Sequence, residues 1–291
     1  MARKQPVSKK HDLRVVFIHG LESTPHGNKY RFLKKKFKHV RSVSMHTGIF
    51  NGKRNSFLVA IWREMAFYKL LANVMLFIIL GFTIWQYTSL KPMIRFCSLF
   101  PMLLLFSSRS LAILKQVKFD TVRSILNDCI EIQSEAIKKF EPDVVVASSF
   151  GAAVALFGLL EQRFHIPLVL CASAHESAHS VWFNYFVVWD CDGAKEVFGR
   201  RKVSNYQKDT PIVIIHGSDD SVVPVKHSRR LYDILKNDDE RKKMKTYTKY
   251  HEIHQEGHRL RSILTMASSI QDGETLLETC VLRCAEHFNG K

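Results

Sequence analysis

Ser149 stands in the run Ala147-Ser148-Ser149-Phe150-Gly151, between the β-branched Val144-Val145-Val146 and the small-residue stretch that continues to Leu156. A strand that stops at this serine and turns sharply into a helix leaves a hydroxyl at the edge of a sheet. Such a turn needs small residues two before and two after the serine, and Ala147 and Gly151 meet that demand. A hydroxyl is a weak nucleophile unless a base takes its proton and a third group orients the base. Two later segments offer those partners. "PIVIIHGSDDSVVP" (Pro211 to Pro224) reads as a strand running into H-G-x-x-D, which places Asp220 just beyond the strand end, with Asp219 as its neighbour. "HQEGHRL" (His254 to Leu260) places His258 after a glycine, ahead of a C-terminal helix. His19 and His216, each in an H-G pair at a strand end, read as turn residues, and His251 and His254 as surface loop residues.

Positioning these groups takes parallel α/β units. Short apolar runs give strands at Leu13 to Ile18, Arg41 to Met45, Val144 to Ala147, Pro167 to Cys171, Ile212 to Ile215 and Met244 to Thr248. Longer amphipathic runs give helices at Lys29 to Phe37, Thr121 to Phe140, Phe150 to Gln162, Lys226 to Leu235 and Glu274 to His287. Alternation of the two is the signature of a parallel sheet covered by helices. Serine, acid and histidine then follow in the order Ser…Asp…His, each after a strand's C-terminal end. The backbone N–H groups of Phe150, opening a helix, and of Leu21, after the first strand, are placed to bind an oxyanion.

With these residues on the page the chain resembles the α/β-hydrolase superfamily, and within it the small YqiA-like serine esterases, which open with a segment similar to "HGLESTPHGNKYRFL". The resemblance implies a three-layer α/β-hydrolase sandwich with a mostly parallel sheet. It further implies ester or thioester hydrolysis through an acyl-serine intermediate, with Ser149, Asp220 and His258 as triad and no cofactor or metal. The sequence departs from the pattern at Ala147, where glycine is usual, and in an inserted apolar block.

That block divides the chain into a hydrolase domain over residues 1–55 and 118–291 and an inserted hydrophobic hairpin over 56–117. Leu70 to Tyr87 carries no charge over 18 residues, close to the minimum that spans a bilayer core of about 30 Å. Met93 to Leu114 is apolar again but carries Arg95 and Arg109. A hairpin, unlike a single span, leaves both flanks on one side, as strands of one sheet require. Both flanks are rich in lysine and arginine, which puts them on the cytoplasmic side. The expectation is a membrane-associated protein whose catalytic domain faces the cytoplasm, acting on a small acyl-ester or lipid-like substrate. The excess of lysine and arginine over acids, 43 to 27, suits anionic lipids. The basic runs are scattered and match no nucleic-acid-binding module, so no nucleic acid partner is expected.

Two other readings compete. "HESAH", His175 to His179, fits the H-E-x-x-H zinc signature of a membrane metalloprotease, with His175 and His179 as ligands and Glu176 as base. It follows a strand, however, and only Asp190, Asp192 or Glu196 offers a third ligand. A catalytically inactive hydrolase fold serving as an interaction module is the other alternative, which an intact triad disfavours. The six cysteines form no CxxC pair and read as reduced thiols. No apolar secretory signal precedes the first strand, and the sequence sets no oligomeric state.

Overall fold

The computed structural model describes residues 10–21, 24–48, 55–56, 65–87, 108–110, 112–113, 123–176, 210–241, 247–267 and 274–290. The chain begins with β1 (His11–Ile18), α1 (Asn28–Lys36) and β2 (Phe37–Arg41), followed by two-residue strands β3 (Thr47–Gly48) and β4 (Asn55–Ser56) that pair with each other. Helix α2 (Met65–Tyr87) comes next, then helix α3 (123–140), β5 (Val144–Ser148), α4 (Phe150–Leu160) and β6 (Leu168–Cys171). The remainder is β7 (Ile212–Gly217), α5 (Val225–Arg241), β8 (Thr248–Ile253) and α6 (Leu276–Asn289).

Six strands form one sheet in the order β2-β1-β5-β6-β7-β8, every pair parallel. A parallel sheet must be covered on both faces, and its central strands β5 and β6 are accordingly buried and apolar apart from Ser148. The period of two sorts them. Val16, Ile18, Val145 and Ala147 pack with Ile125, Leu126 and Leu156 on one face. Val15, Phe17, Val144 and Val146 pack with Leu33, Leu277 and Val281 on the other. All eleven residues of α4 are buried, which is why its sequence is apolar on every side. Cys129, Cys171, Cys280 and Cys284 are buried in these layers and form no disulfide among the described residues.

The chain passes from β1 outward to β2, then returns to lay β5 on the opposite side of β1. Strand order reverses between β1 and β5, and a crevice opens at the C-terminal ends of such neighbours. Ser149 and Gly20 follow these two strands.

The edge strands depart from expectation. β2 starts at Phe37, directly on the last residue of α1, instead of at Arg41, because the fully buried Phe37 anchors it. β8 starts at Thr248, where the expected strand ended, and places its one buried residue, Ile253, at its far end. His251 accordingly belongs to β8 and not to a loop.

Of the inserted hairpin the described residues cover the first limb and a few positions near the end of the second. Its first limb is helical over Met65–Tyr87, but among the described residues there is no apolar hairpin of the expected kind. No helix among them is long and apolar enough to cross a membrane. Asn73 and Gln86 leave only Val74 to Trp85 free of strongly polar side chains, about 18 Å at about 1.5 Å per residue, against a hydrocarbon core of about 30 Å. Asn73 is buried and donates to Ser110 Oγ at 3.1 Å, which ties α2 to the short helical turn at 108–110. Most of Met93 to Leu114 lies outside the described residues, as does the stretch 177–209.

Candidate active site

Ser149 has φ 58° and ψ −123°, a left-handed conformation that non-glycine residues rarely hold unless their surroundings enforce it. Enforcement comes from its backbone bonds, with a longer one from the Ala153 N–H (3.4 Å) beside the following three. The Ser149 N–H donates to Cys171 O at 2.9 Å, and Ser149 O accepts from the N–H groups of Ala152 (3.0 Å) and Ala174 (3.2 Å). Gly151 closes the turn: a Cβ there would lie 2.3 Å from His19 O and 2.5 Å from Ile18 O, so no side chain fits. Ala147 is fully buried in the sheet and its methyl is accommodated.

Asp220 follows β7 and is held on every side. Its Oδ1 accepts the N–H groups of Val222 and Val223, both at 2.8 Å. Its Oδ2 accepts from His258 Nδ1 at 2.8 Å and lies 3.2 Å from His216 Nε2. Burial pushes this carboxyl up, but the bonds from His216, His258 and Val223 outweigh it and hold the group well below the usual carboxylate range. An ionised carboxylate has no proton to give, so Nδ1 of His258 carries the hydrogen and Nε2 is left as an acceptor. Ser149 Oγ lies 3.0 Å from that Nε2. An alcohol, an imidazole and a carboxylate are therefore linked in series. Asp219 is outside the series, its Oδ1 accepting from the Ser218 hydroxyl.

The loop carrying His258 is fastened to the strand end and turn that lead to Asp220. A Cβ on Gly217 would lie 2.0 Å from Glu256 O, Asp219 N–H donates to Glu256 O at 3.1 Å, and Gln255 N–H donates to Ser218 Oγ at 2.9 Å. On the other side a Cβ at Gly20 would meet Ser149 Cβ at 3.1 Å, so the turn after β1 lies against the serine. Leu21 in that turn lines a cavity of about 340 Å³ that also holds Ser149 and His258. Phe150, the other expected oxyanion residue, opens α4.

His19 acts as expected, tying a turn: its Nδ1 donates to Gly20 O at 2.8 Å and its Nε2 accepts the Met45 N–H at 3.3 Å. His216 does more than was expected. It is completely buried, with Nε2 against both Asp220 and Val223 O (3.0 Å) and Nδ1 accepting from Ser228 Oγ at 2.6 Å. The signal that could have found it is spacing, since H-G-x-x-D puts it four residues before the acid.

The zinc signature takes a different form here. Glu176 pairs with Arg230 at 3.1 Å and lies 3.4 Å from His227 Nε2, in place of a base facing a metal-bound water. His175 is buried against Ser173 Oγ at 3.0 Å, and burial pushes its imidazole down to about 3. His179 lies outside the described residues, among which no three potential ligands gather.

The model of the prolyl oligopeptidase family matches residues 170–277, a span that includes Asp220 and His258 but not Ser149. No curated protein matches the chain. Among solved structures, esterase PE8 is similar with 12% identity, 96% of this chain and 94% of that one covered, and a TM-score of 0.47. TT1662 from Thermus thermophilus shows 11% identity, coverage of 98% and 90%, and a TM-score of 0.47. The monoacylglycerol lipase of Paleococcus ferrophilus shows 13% identity over 56% of this chain and 76% of that one, with a TM-score of 0.32. The match supports the superfamily and does not extend to the finer resemblance to small YqiA-like esterases. The parallel sheet, the strained serine at its switch point and the local family match give the chain an α/β-hydrolase fold.

Proposed function

We propose that the chain is a serine hydrolase that cleaves a carboxylic ester or thioester of an acyl, lipid-like substrate at a membrane surface. The observation that carries this reading is the unbroken series from Ser149 Oγ through His258 to Asp220. In the reaction Ser149 Oγ attacks the acyl carbon while His258 Nε2 takes its proton, and Asp220 holds the tautomer and stabilises the imidazolium. The backbone N–H groups of Leu21 and Phe150 receive the oxyanion, its charge favoured by the N-terminal end of α4. The proton passes from His258 to the leaving group, and water attacks the acyl-serine with His258 again as base. A complete series argues against an inactive interaction module.

The membrane enters through α2, on which Met75, Ile78, Ile79 and Phe82 are exposed. A helix with such a surface, flanked by lysine and arginine, suits the interface plane of a bilayer rich in anionic lipids. The basic flanks favour its cytoplasmic face. A second reading, cleavage of a peptide bond by the same triad, is favoured by the match to the prolyl oligopeptidase family.

A fluorophosphonate probe tests the core of the proposal. Wild-type protein is expected to label and Ser149→Ala protein to remain unlabelled, with labelling indifferent to chelators; equal labelling of both would remove Ser149 as nucleophile. Turnover of acyl esters against matched peptides then separates the two readings.

A further inference from the structure

The cavity that holds Ser149 and His258 is also lined by Lys29, Arg259 and Arg261, and no carboxylate is among its described lining residues. Lys29 sits in the first turn of α1, and its Nζ donates to Arg259 O at 2.8 Å. Among the described residues no carboxylate lies within ion-pair distance of it. Burial pushes its amine down, with Cys171, Glu256 and Asp220 opposing it only through space. Glu256 is committed elsewhere, accepting the N–H groups of Arg261 at 2.9 Å and Ser262 at 3.2 Å. Helix α1 adds to the field, since Gly27 gives it no side-chain cap and its first turn has no acidic residue. Its positive end borders the same space through Gly27 and Asn28. A neutral acyl ester brings no counter-charge to these three cations, whereas an anion would meet all of them.

We propose that Lys29, Arg259 and Arg261 form an anion subsite beside Ser149, so that the preferred substrate is an ester or thioester bearing a phosphate or carboxylate close to the scissile carbonyl. The inference rests on the serine hydrolase reading and narrows its substrate class. The anion takes no part in bond making. The Ser149 Oγ–acyl bond forms as the C–O or C–S bond to the leaving group breaks, the serine proton leaves with that group through His258, and one water releases the acid. The charge can belong to either half of the substrate: to the acyl chain, as in a dicarboxylic half-thioester, or to the leaving alcohol, as in an acylated glycerol phosphate.

The test compares kcat/KM of the full chain on two matched pairs, butyryl against succinyl thioesters of one thiol, and a monoacylglycerol against its 3-phosphate. At least one anionic member is expected to be preferred by about tenfold or more, and the pair that shows it locates the charge. Lys29→Met and the double variant Arg259→Met/Arg261→Met should each bring that ratio towards one, while Lys29→Arg keeps it. A ratio within one preparation is insensitive to partial misfolding. Ratios near one in both pairs, with Ser149 still labelled by fluorophosphonate and neutral esters still cleaved, would overturn the subsite and leave the hydrolase standing. A preference unmoved by Lys29→Met and by the double variant would also overturn it. Absence of both labelling and turnover would overturn the two together.

Discussion

His216 Nε2 lies 3.2 Å from Asp220 Oδ2, with both side chains fully shielded from solvent. The acid of the series is thus shared by two imidazoles, one leading to the serine and one buried behind it. His216→Leu removes that donor and leaves Ser228 Oγ and Val223 O without their partner. We expect a loss of about 2–3 kcal/mol in stability and a fall in kcat with KM for a short ester little changed. His216→Gln, which keeps a donor, should recover part of both. Urea unfolding beside steady-state kinetics reads the two effects separately.

Asp220→Asn keeps an acceptor for Val222 and Val223 but can present an N–H to His258 Nδ1. The ring then turns its lone pair towards position 220 and offers Ser149 a hydrogen in place of an acceptor. Turnover of an ester should fall by about 10⁴-fold with the fold intact, measured by kinetics together with circular dichroism. A fall of less than tenfold would show that the carboxylate does not set the tautomer.

Alanine is ordinarily the better helix former by about 1 kcal/mol, so Gly151→Ala would stabilise an unconstrained α4. Here the added methyl meets the carbonyls of His19 and Ile18, which are backbone atoms of the neighbouring strand end. The expected result is destabilisation by about 3 kcal/mol or more and displacement of Ser149, seen as a lower thermal midpoint and slower fluorophosphonate labelling.

His175 gives a pH dependence. Burial first, then the nearby His227, pushes its imidazole down to about 3. Below the ordinary histidine value of about 6.5 the unfolded chain takes up a proton that the folded chain refuses. Stability is therefore lost as pH falls from about 6.5, at up to about 1.4 kcal/mol per unit from this group, and the loss levels off near 3. His175→Asn has no such proton to gain, so chemical denaturation at pH 7, 6 and 5 should show a shallower decline by about 1 kcal/mol per unit. Parallel declines would mean the ring takes a proton in the folded protein.

Ile78 and Phe82, one helical turn apart on α2, are both exposed. Replacing both with glutamate should weaken binding to vesicles containing anionic lipid at least about tenfold, while a short water-soluble ester is still hydrolysed. Sedimentation with vesicles measures the first and kinetics the second. Unchanged sedimentation would remove α2 as the contact.

Much of the site was legible in the sequence because its chemistry is local. A strand, a serine between small residues and an apolar helix occupy consecutive positions, and α1 was placed to within a residue by its apolar spacing. The edges were less legible. Lys38, His39, Lys249 and Glu252 lie in β2 and β8, whose outer sides have no neighbouring strand among the described residues, so apolar content marks them poorly. The role of His216 depends on a contact made only when β7 and the loop after it fold over each other. Lys29 reads as one lysine in a basic helix until the cavity places it beside the serine.

The close seating of Glu256 on Gly217 has a dynamic consequence. Base and acid ride on one clamped unit, strand β7 with the turn that follows β8, whereas the serine belongs to β5 and α4. A breathing motion that widens the crevice would separate Ser149 from His258 and leave the imidazole still bonded to its carboxylate. The weak seam of the series is thus the 3.0 Å gap between hydroxyl and ring, which the serine proton must cross in the reaction proposed above.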